Sequence, residues 1–300
     1  MLRILHFSDI HLRAPYSALP LSDIGPKRLL GAANLALRRE AHFREASRKV
    51  AALLPFIEAQ DVEAVICTGD YTALGTQEEL RIAHDAIEKL THRRHGFITV
   101  PGNHDVYVNS AVRERRFETH FAAFLHSDLP EYVADKPWPV VRLINDDVAV
   151  IALNSARPNP QLWRSSGIVP QAQLDALARV LADERIASRR VFLITHYAMR
   201  RRDGKYDHPW HGLTNADALV AVASQHSRLA ILHGHIHWTY SHTLHGLSGR
   251  VFGAGSATFA GREGVWLYEL DEGRATAIPG RWNGDCFVLD HGKSVAIFGA

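Results

Sequence analysis

Cysteine is nearly missing: Cys67 and Cys286 are the only two in 300 residues. Two thiols cannot frame a chain of this length with disulfides, which points to a reducing compartment. Cys67, inside the apolar run AVIC, reads as a small hydrophobe. An excess of one charge is missing too, since 34 Lys and Arg against 32 Asp and Glu leave a net charge of +2. No overall field argues for nucleic acid, and no basic stripe with interleaved aromatics argues for stable nucleic-acid binding or a nuclease. No apolar run approaches the roughly 18 residues of a membrane span. The opening MLRILHFSD meets a charged residue too early for a signal peptide, so a cytoplasmic protein is expected. Repeats and low-complexity tracts are absent, and 46% hydrophobic residues exclude disorder and fibres. The excess lies in histidine, 19 in all, which raises the expectation of metal chemistry.

Apolar runs alternate with amphipathic stretches over the first hundred residues. Arg3–Phe7, Glu63–Asp70 and Phe97–Val100 have strand texture. Between them, Phe43–Ala59 (Ala46, Val50, Leu53, Leu54 and Ile57 on one stripe) and Glu78–Leu90 have helical spacing. Further strands are expected at Val148–Leu153, Val191–Thr195 and Leu229–Leu232. Further helices are expected at Arg113–Leu125, within Gly167–Asp183, and from an Asn215 cap to Gln225. Past residue 250, VFGAGSA, VWLYEL, ATAIPGRW and CFVLD follow one another across turn residues without helices, the texture of antiparallel pairing. The expected organisation is one domain over 1–300, with 13–44 inserted as a cap or lid and 251–300 as terminal antiparallel strands.

Chemistry-bearing residues gather where five apolar runs end: Asp9-x-His11, Gly69-Asp70, Gly102-Asn103-His104-Asp105, His196, and Gly234-His235-x-His237. The carboxyl ends of strands are where sites form in α/β sheets. Alternate residues of extended chain point the same way, so Asp9 and His11, or His235 and His237, are able to converge. Gly102 allows a sharp turn with positive φ. Imidazoles, carboxylates and one amide oxygen suit Mn, Fe, Zn or Ni better than calcium or a closed thiolate zinc site. Seven candidates are too many for one ion and fit two ions sharing a carboxylate.

This order of motifs, spanning Asp9 to His237, resembles the calcineurin-like metallophosphoesterase superfamily, in particular its small bacterial class III-type phosphodiesterases. The resemblance implies a four-layer α/β/β/α sandwich of two mixed sheets with a dinuclear centre at the strand ends. It implies that Asp9, His11, Asp70 and His237 bind one metal, and that a bridging Asp70 with Asn103, His196 and His235 binds the second. The cofactors would be two divalent or mixed-valence ions, Mn, Fe or Zn, with Mn favoured. His104 is not a ligand in this pattern and is assigned to protonating the leaving oxygen. Many relatives carry a carboxylate or amide three residues after the bridging aspartate, where this chain has Ala73; Asp105 is then a candidate to orient His104. Tyr197-Ala198-Met199 also departs from the second His and prolines of many cyclic-nucleotide phosphodiesterases.

The implied activity is hydrolysis of phosphoric esters, foremost diesters such as a cyclic nucleotide or a lipid-linked nucleotide or glycerophosphodiester. A phosphomonoesterase and a non-catalytic metal-binding scaffold are the alternatives. Arg200, Tyr206, His208 and Trp210 are the candidates for substrate contact. Lys27–Arg39, with Leu29, Leu30, Ala33, Ala36 and Leu37 on one face and basic ends, suits a packed cap or a lid touching acyl chains at an anionic, inner-face membrane surface. His6 and His233 are expected as hydrogen-bonded neighbours of the centre, and Asn154 stands at the fourth strand end.

Overall fold

The computed structural model describes residues 1–15, 17, 25–34, 40–159, 161 and 163–299. Strands β1 (Leu2–Phe7), β2 (Ala64–Cys67) and β3 (Phe97–Thr99) pair in parallel. Helices α2 (Ala46–Ala51), α3 (Leu53–Ala59) and α4 (Gln77–Thr91) connect them, so all three strands deliver their carboxyl ends to one edge. On the other side of β1 the sheet continues with antiparallel β10 (Gly264–Leu270), β11 (Ala275–Trp282) and β12 (Phe287–Leu289), and β13 (Val295–Ala296) also pairs with β11. A second sheet has the order β4 (Val140–Leu143), β5 (Val148–Ala152), β6 (Arg190–Ile194), β7 (Leu229–His233), β9 (Arg250–Ala254), β8 (Thr239–Thr243). Here β5, β6, β7 and β9 are parallel neighbours. The sequence grouped residues from 251 onward as antiparallel; β9 departs from that by pairing parallel to β7.

Alternation along the second sheet explains the layers. Val148, Val150, Ala152, Phe192, Ile194, Ala230, Leu232 and Phe252 share a core with the first sheet. The intervening Ala149, Ile151, Val191, Leu193, Leu229 and Ile231 pack with α7 (Gln171–Leu181), the short α8 (Glu184–Ala187) and α9 (Ala216–Ala223). Phe192 and Phe252 meet Tyr268 across the sheets at ring distances of 5.1 and 5.2 Å. Leu80, Ala83, Ile87 and Leu90 of α4 cover the first sheet, completing an α/β/β/α sandwich of two mixed sheets. Strands buried on both faces are apolar throughout, which is why they are visible as continuous runs.

Several elements differ from their sequence-based expectation. Phe43–Ala59 is not one helix: a 3-10 turn (Glu40–Phe43) precedes α2 and α3, which break at Ala52. Pro55 has no N–H to donate to the carbonyl of Ala51, so the ladder cannot continue. Arg113–Leu125 is divided into α5 (Asn109–Arg113), α6 (Arg116–His120) and a 3-10 turn, with Arg115 at φ 50° between the helices. Asn215 is the N-cap residue of α9, but its side chain makes no cap bond; it accepts from the Val169 amide (3.1 Å) and donates to the Val169 carbonyl (2.8 Å). The start of α4 carries a signal missed in the sequence, a Thr76/Glu79 capping box.

Helix α1 (Pro26–Asn34) reverses the amphipathic face expected for Lys27–Arg39. Leu29 and Leu30 are 57% and 52% exposed, whereas Arg28 is buried and donates to the carbonyls of Leu74 (3.1 Å) and Gly75 (2.8 Å). Ala36, Leu37, Arg38 and Arg39 lie outside the described residues, as does much of the expected 13–44 lid. No described helix is long and apolar enough to cross a membrane.

Candidate metal centre

The loops leaving β1, β2, β3, β6 and β7 carry all seven candidate ligands. Their convergence does not use extended alternation. Asp9, His11, Asp70, His235 and His237 have φ of 55°, 43°, 58°, 67° and 55°, left-handed conformations sparsely populated by non-glycine residues. Each such residue stores of order 1–3 kcal/mol and persists only where its surroundings over-determine it. The surroundings here do so: Asp9 N donates to Gly69 O (2.9 Å), His11 N to Asp70 O (3.1 Å) and Gly234 N to His196 O (3.0 Å). Ser256 Oγ holds the Asp9 carbonyl at 2.6 Å. Gly102 contributes by lacking a Cβ and not by positive φ, since a Cβ there would lie 2.1 Å from Asp70 Oδ1. At Gly234 a Cβ would meet Asp9 Oδ2 at 2.4 Å.

Hydrogen bonds decide which ring nitrogens are bare. A carbonyl only accepts, so His196 Nδ1 donates to Thr68 O (2.7 Å), His11 Nδ1 to Thr72 O (3.1 Å) and His235 Nε2 to His211 O (3.0 Å). The opposite nitrogens, His196 Nε2, His11 Nε2 and His235 Nδ1, are left as electron-pair donors aimed inward. His196 Nε2 lies 3.1 Å from Asn103 Oδ1 and 3.5 Å from Asp70 Oδ2, and His235 Nδ1 lies 2.9 Å from the same Asn103 oxygen. His11 Nε2 lies 3.1 Å from His237 Nε2 and 3.8 Å from both Asp9 Oδ1 and Asp70 Oδ2.

This donor set fits two divalent cations. The ligand atoms of Asp9, His11, Asp70 and His237 all lie within 4.8 Å of one another. Adjacent ligands about 2.1 Å from one ion are about 3 Å apart, which is the spacing of His237 Nε2 from Asp9 Oδ1 (3.0 Å) and from His11 Nε2. Asp9 Oδ1 is buried and receives no hydrogen bond, an orphan that a cation would satisfy. Asp70 Oδ2 faces both clusters, the place a shared carboxylate must occupy. Although burial raises it, Asp70 is held well below the usual carboxylate range by His196, His104 and His11. Burial alone would lower the His196 imidazole, and the charges of Asp70 and Asp9 more than reverse this, to about 9, so a cation bound at Nε2 would displace a proton there.

His104 stands beside the cluster with its backbone amide on Asp70 Oδ1 (2.8 Å). Its Nδ1 donates to the carbonyl of Ala73 at 2.6 Å. The position that lacks a carboxylate side chain thus supplies its backbone oxygen, and Asp105 does not orient His104. The Asp105 carboxylate instead accepts from the amides of Gly102 (2.8 Å), Tyr71 (2.9 Å), Asp70 (3.0 Å) and Thr72 (3.1 Å), locking the β2 loop to the β3 loop.

The centre forms part of a cleft of about 900 Å³. Arg200, Tyr206, His208 and Trp210 are not among its lining residues. Arg200 and Tyr206 are both bound to Asp217, and the guanidinium stacks on the phenol ring at 3.6 Å. Lys27, Arg157, Trp163, Arg164, Trp238 and Arg262 do line the cleft. Of these, Arg157, Trp163 and Arg164 lie well beyond the end of β5 at Ala152, too far along the chain for the strand end to have pointed to them. Asn154 turns its Oδ1 to the amide of Ala156 (2.9 Å) and not to the centre. His6 bonds Tyr268 Oη and Thr68 Oγ1, each at 3.0 Å, and His233 Nδ1 lies 2.9 Å from Gly234 O.

The family model for calcineurin-like phosphoesterases matches residues 2–239. Among solved structures, a dimetal phosphatase from Danio rerio aligns with TM-score 0.67 at 14% identity, covering 100% of this chain and 99% of that one. The purple acid phosphatase PPD1 of yellow lupin (Lupinus luteus) aligns with TM-score 0.62 at 11% identity, over 99% of this chain and 53% of that one. GAP50, described as the anchor in the inner membrane complex of Plasmodium, aligns with TM-score 0.51 at 10% identity, over 100% and 89%. At such identities the likeness concerns the fold. No curated protein matches. Because the matched residues 2–239 contain every one of the converging loops, the chain belongs to the calcineurin-like phosphoesterase family.

Proposed function

We propose that the protein hydrolyses phosphoric esters, diesters in preference to monoesters, with two divalent cations held by Asp9, His11, Asp70, Asn103, His196, His235 and His237. The observation that carries this is the set of inward-facing lone pairs on the cleft floor with His104 beside it. Bound there, the two cations supply charge neutralisation for the phosphoryl oxygens and a nucleophilic water near neutral pH. The mixed nitrogen and oxygen donors suit Mn, Fe or Zn, and Mn is our first choice for reconstitution.

Thr68, Thr72 and His211 hold three rings in the tautomers that face inward. With its Nδ1 hydrogen on the Ala73 carbonyl, His104 keeps Nε2 to carry a second proton, which it delivers to the leaving oxygen. A diester is supported by the cleft's volume of about 900 Å³, which admits an organic group on each side of a phosphoryl. Tyr107, Phe259, Trp163 and Trp238 line it. The exposed Leu29 and Leu30, within one turn of Lys27 at the cleft, favour a lipid-linked diester as the second choice.

His104→Ala should keep its metal and lose about 10²–10⁴-fold in turnover. Metal loss in this variant, or near-wild-type turnover, overturns the assignment. Bis(p-nitrophenyl) phosphate should be cleaved faster than p-nitrophenyl phosphate. The reverse order makes the protein a monoesterase, and no hydrolysis with any divalent metal makes it a binding scaffold. Sedimentation with anionic vesicles tests the lipid option, which fails if no protein pellets.

A further inference from the structure

Lys27, Arg157 and Arg164 share the cleft with Asp70, Asn103 and His104, yet none of the three has a carboxylate partner among the described residues. Of the other cations lining the cleft, Arg201 is paired to Asp203 at 2.8 Å, while Arg202 and Arg262 stack on the Trp238 ring, each at 4.8 Å. The three cations are held in place by neutral groups. Arg157 donates through Nε to Ser166 O (3.1 Å) and through Nη2 to Ser166 Oγ (3.0 Å), and Arg164 Nε donates to the same Oγ (2.8 Å). Lys27 Nζ donates to Asn159 O (2.6 Å), and Asn159 itself is fixed to Ser166 O at 3.0 Å. Ser166 and Asn159 are buried, so they form a rigid base. The terminal nitrogens of Arg164 and Nη1 of Arg157 have no described acceptor. Burial and the closeness of Arg164 lower the Arg157 pKa, and burial lowers Lys27 to about 8, as expected of cations gathered without a counter-charge.

The shelf also abuts the centre. Tyr197 donates its hydroxyl to Ser165 O beside the shelf, and its ring lies 4.3 Å from that of His235. We infer that Lys27, Arg157 and Arg164 bind a second phosphoryl group of the substrate, so that the preferred ester carries another phosphoryl besides the one cleaved. Preorganised guanidinium forks match phosphoryl oxygens two at a time, which makes them suited to this task. The inference rests on the phosphoesterase reading for the first phosphoryl and specifies the class of substrate at that site.

The test uses metal-loaded protein and competitive inhibition of bis(p-nitrophenyl) phosphate hydrolysis. The inhibitors are methylphosphonate and alkane bisphosphonates with one- to four-carbon spacers. The best bisphosphonate should inhibit about tenfold or more tightly than methylphosphonate, the gain from charge-assisted hydrogen bonds at the shelf. In R157Q/R164Q this ratio should fall towards one, and in R157K/R164K part of it should return. A wild-type ratio near one at every spacer length overturns the inference, as does a ratio that survives in the glutamine pair. Should the glutamine pair fail to fold, K27M gives the same readout. If only p-nitrophenyl phosphate is cleaved, the diester reading fails and the ratio is measured on the monoester. If neither is cleaved, calorimetric Kd values supply the ratio, so the shelf is judged separately from the reaction.

Discussion

Gly102→Ala isolates how tightly the centre is assembled. The backbone φ at Gly102 is not positive, so alanine is conformationally acceptable there. By its effect on the unfolded chain alone it would stabilise by about 0.4–1 kcal/mol. The new Cβ, however, would stand 2.1 Å from Asp70 Oδ1, 2.6 Å from Asp70 Cγ and 2.4 Å from Asp70 N. Close-packed carbon contacts need about 3.5 Å, so the two loops must part by about 1 Å. Overpacking of this kind costs about 1–3 kcal/mol, which outweighs the gain. Separation moves the shared carboxylate and breaks the 2.8 Å bond from the His104 amide to Asp70 Oδ1. A displacement of about 1 Å at reacting groups is worth about 10²-fold in rate. Metal content by elemental analysis, melting temperature with and without chelator, and turnover of bis(p-nitrophenyl) phosphate should all fall. Gly25→Ala, whose Cβ would meet nothing within 4 Å, should lower none of them. Full metal content and turnover in Gly102→Ala would refute the close-approach reasoning.

Two further perturbations test the surroundings. Asp105→Ala strands the amides of Gly102, Asp70, Tyr71 and Thr72 in a buried site. It should destabilise by about 3 kcal/mol or more, with loss of metal; a melting temperature within a degree of wild type would contradict the locking role. Buried His233 is held down to about 3, chiefly by burial, and His6 is lowered in the same direction by burial and then by His233. In the unfolded chain these rings accept protons near pH 6.5. Their contribution is therefore intact above about pH 6.5 and lost as pH falls from there towards 3, by about 5 kcal/mol for His233. Denaturant melts in chelator should show this slope, and His233→Leu should flatten it; an equal slope in both proteins would contradict it.

The architecture was legible because strands buried on two faces must be apolar at every position, which leaves continuous runs such as AVIC and RVFLI. Polar residues placed immediately after such runs stand out, and that made Asp9, His11, Asp70, Asn103, His196, His235 and His237 visible. Helix interiors were less legible. Pro55 and the left-handed Arg115 each break a helix whose apolar spacing continues through the break, since periodicity records burial and not backbone continuity.

The order of motifs by itself determined the family, the sheet-edge location of the centre and the identity of the converging groups, because each is a matter of residue type at a strand end. Only the tertiary structure decided how they converge, through left-handed loop residues in place of extended alternation. It also decided what orients His104, because the Ala73 carbonyl belongs to the backbone and every residue type would supply one. The same holds for the shelf. A lysine from α1 and two arginines after β5 become neighbours only when the chain closes, and a cation without a counter-charge cannot be recognised until all its neighbours are known.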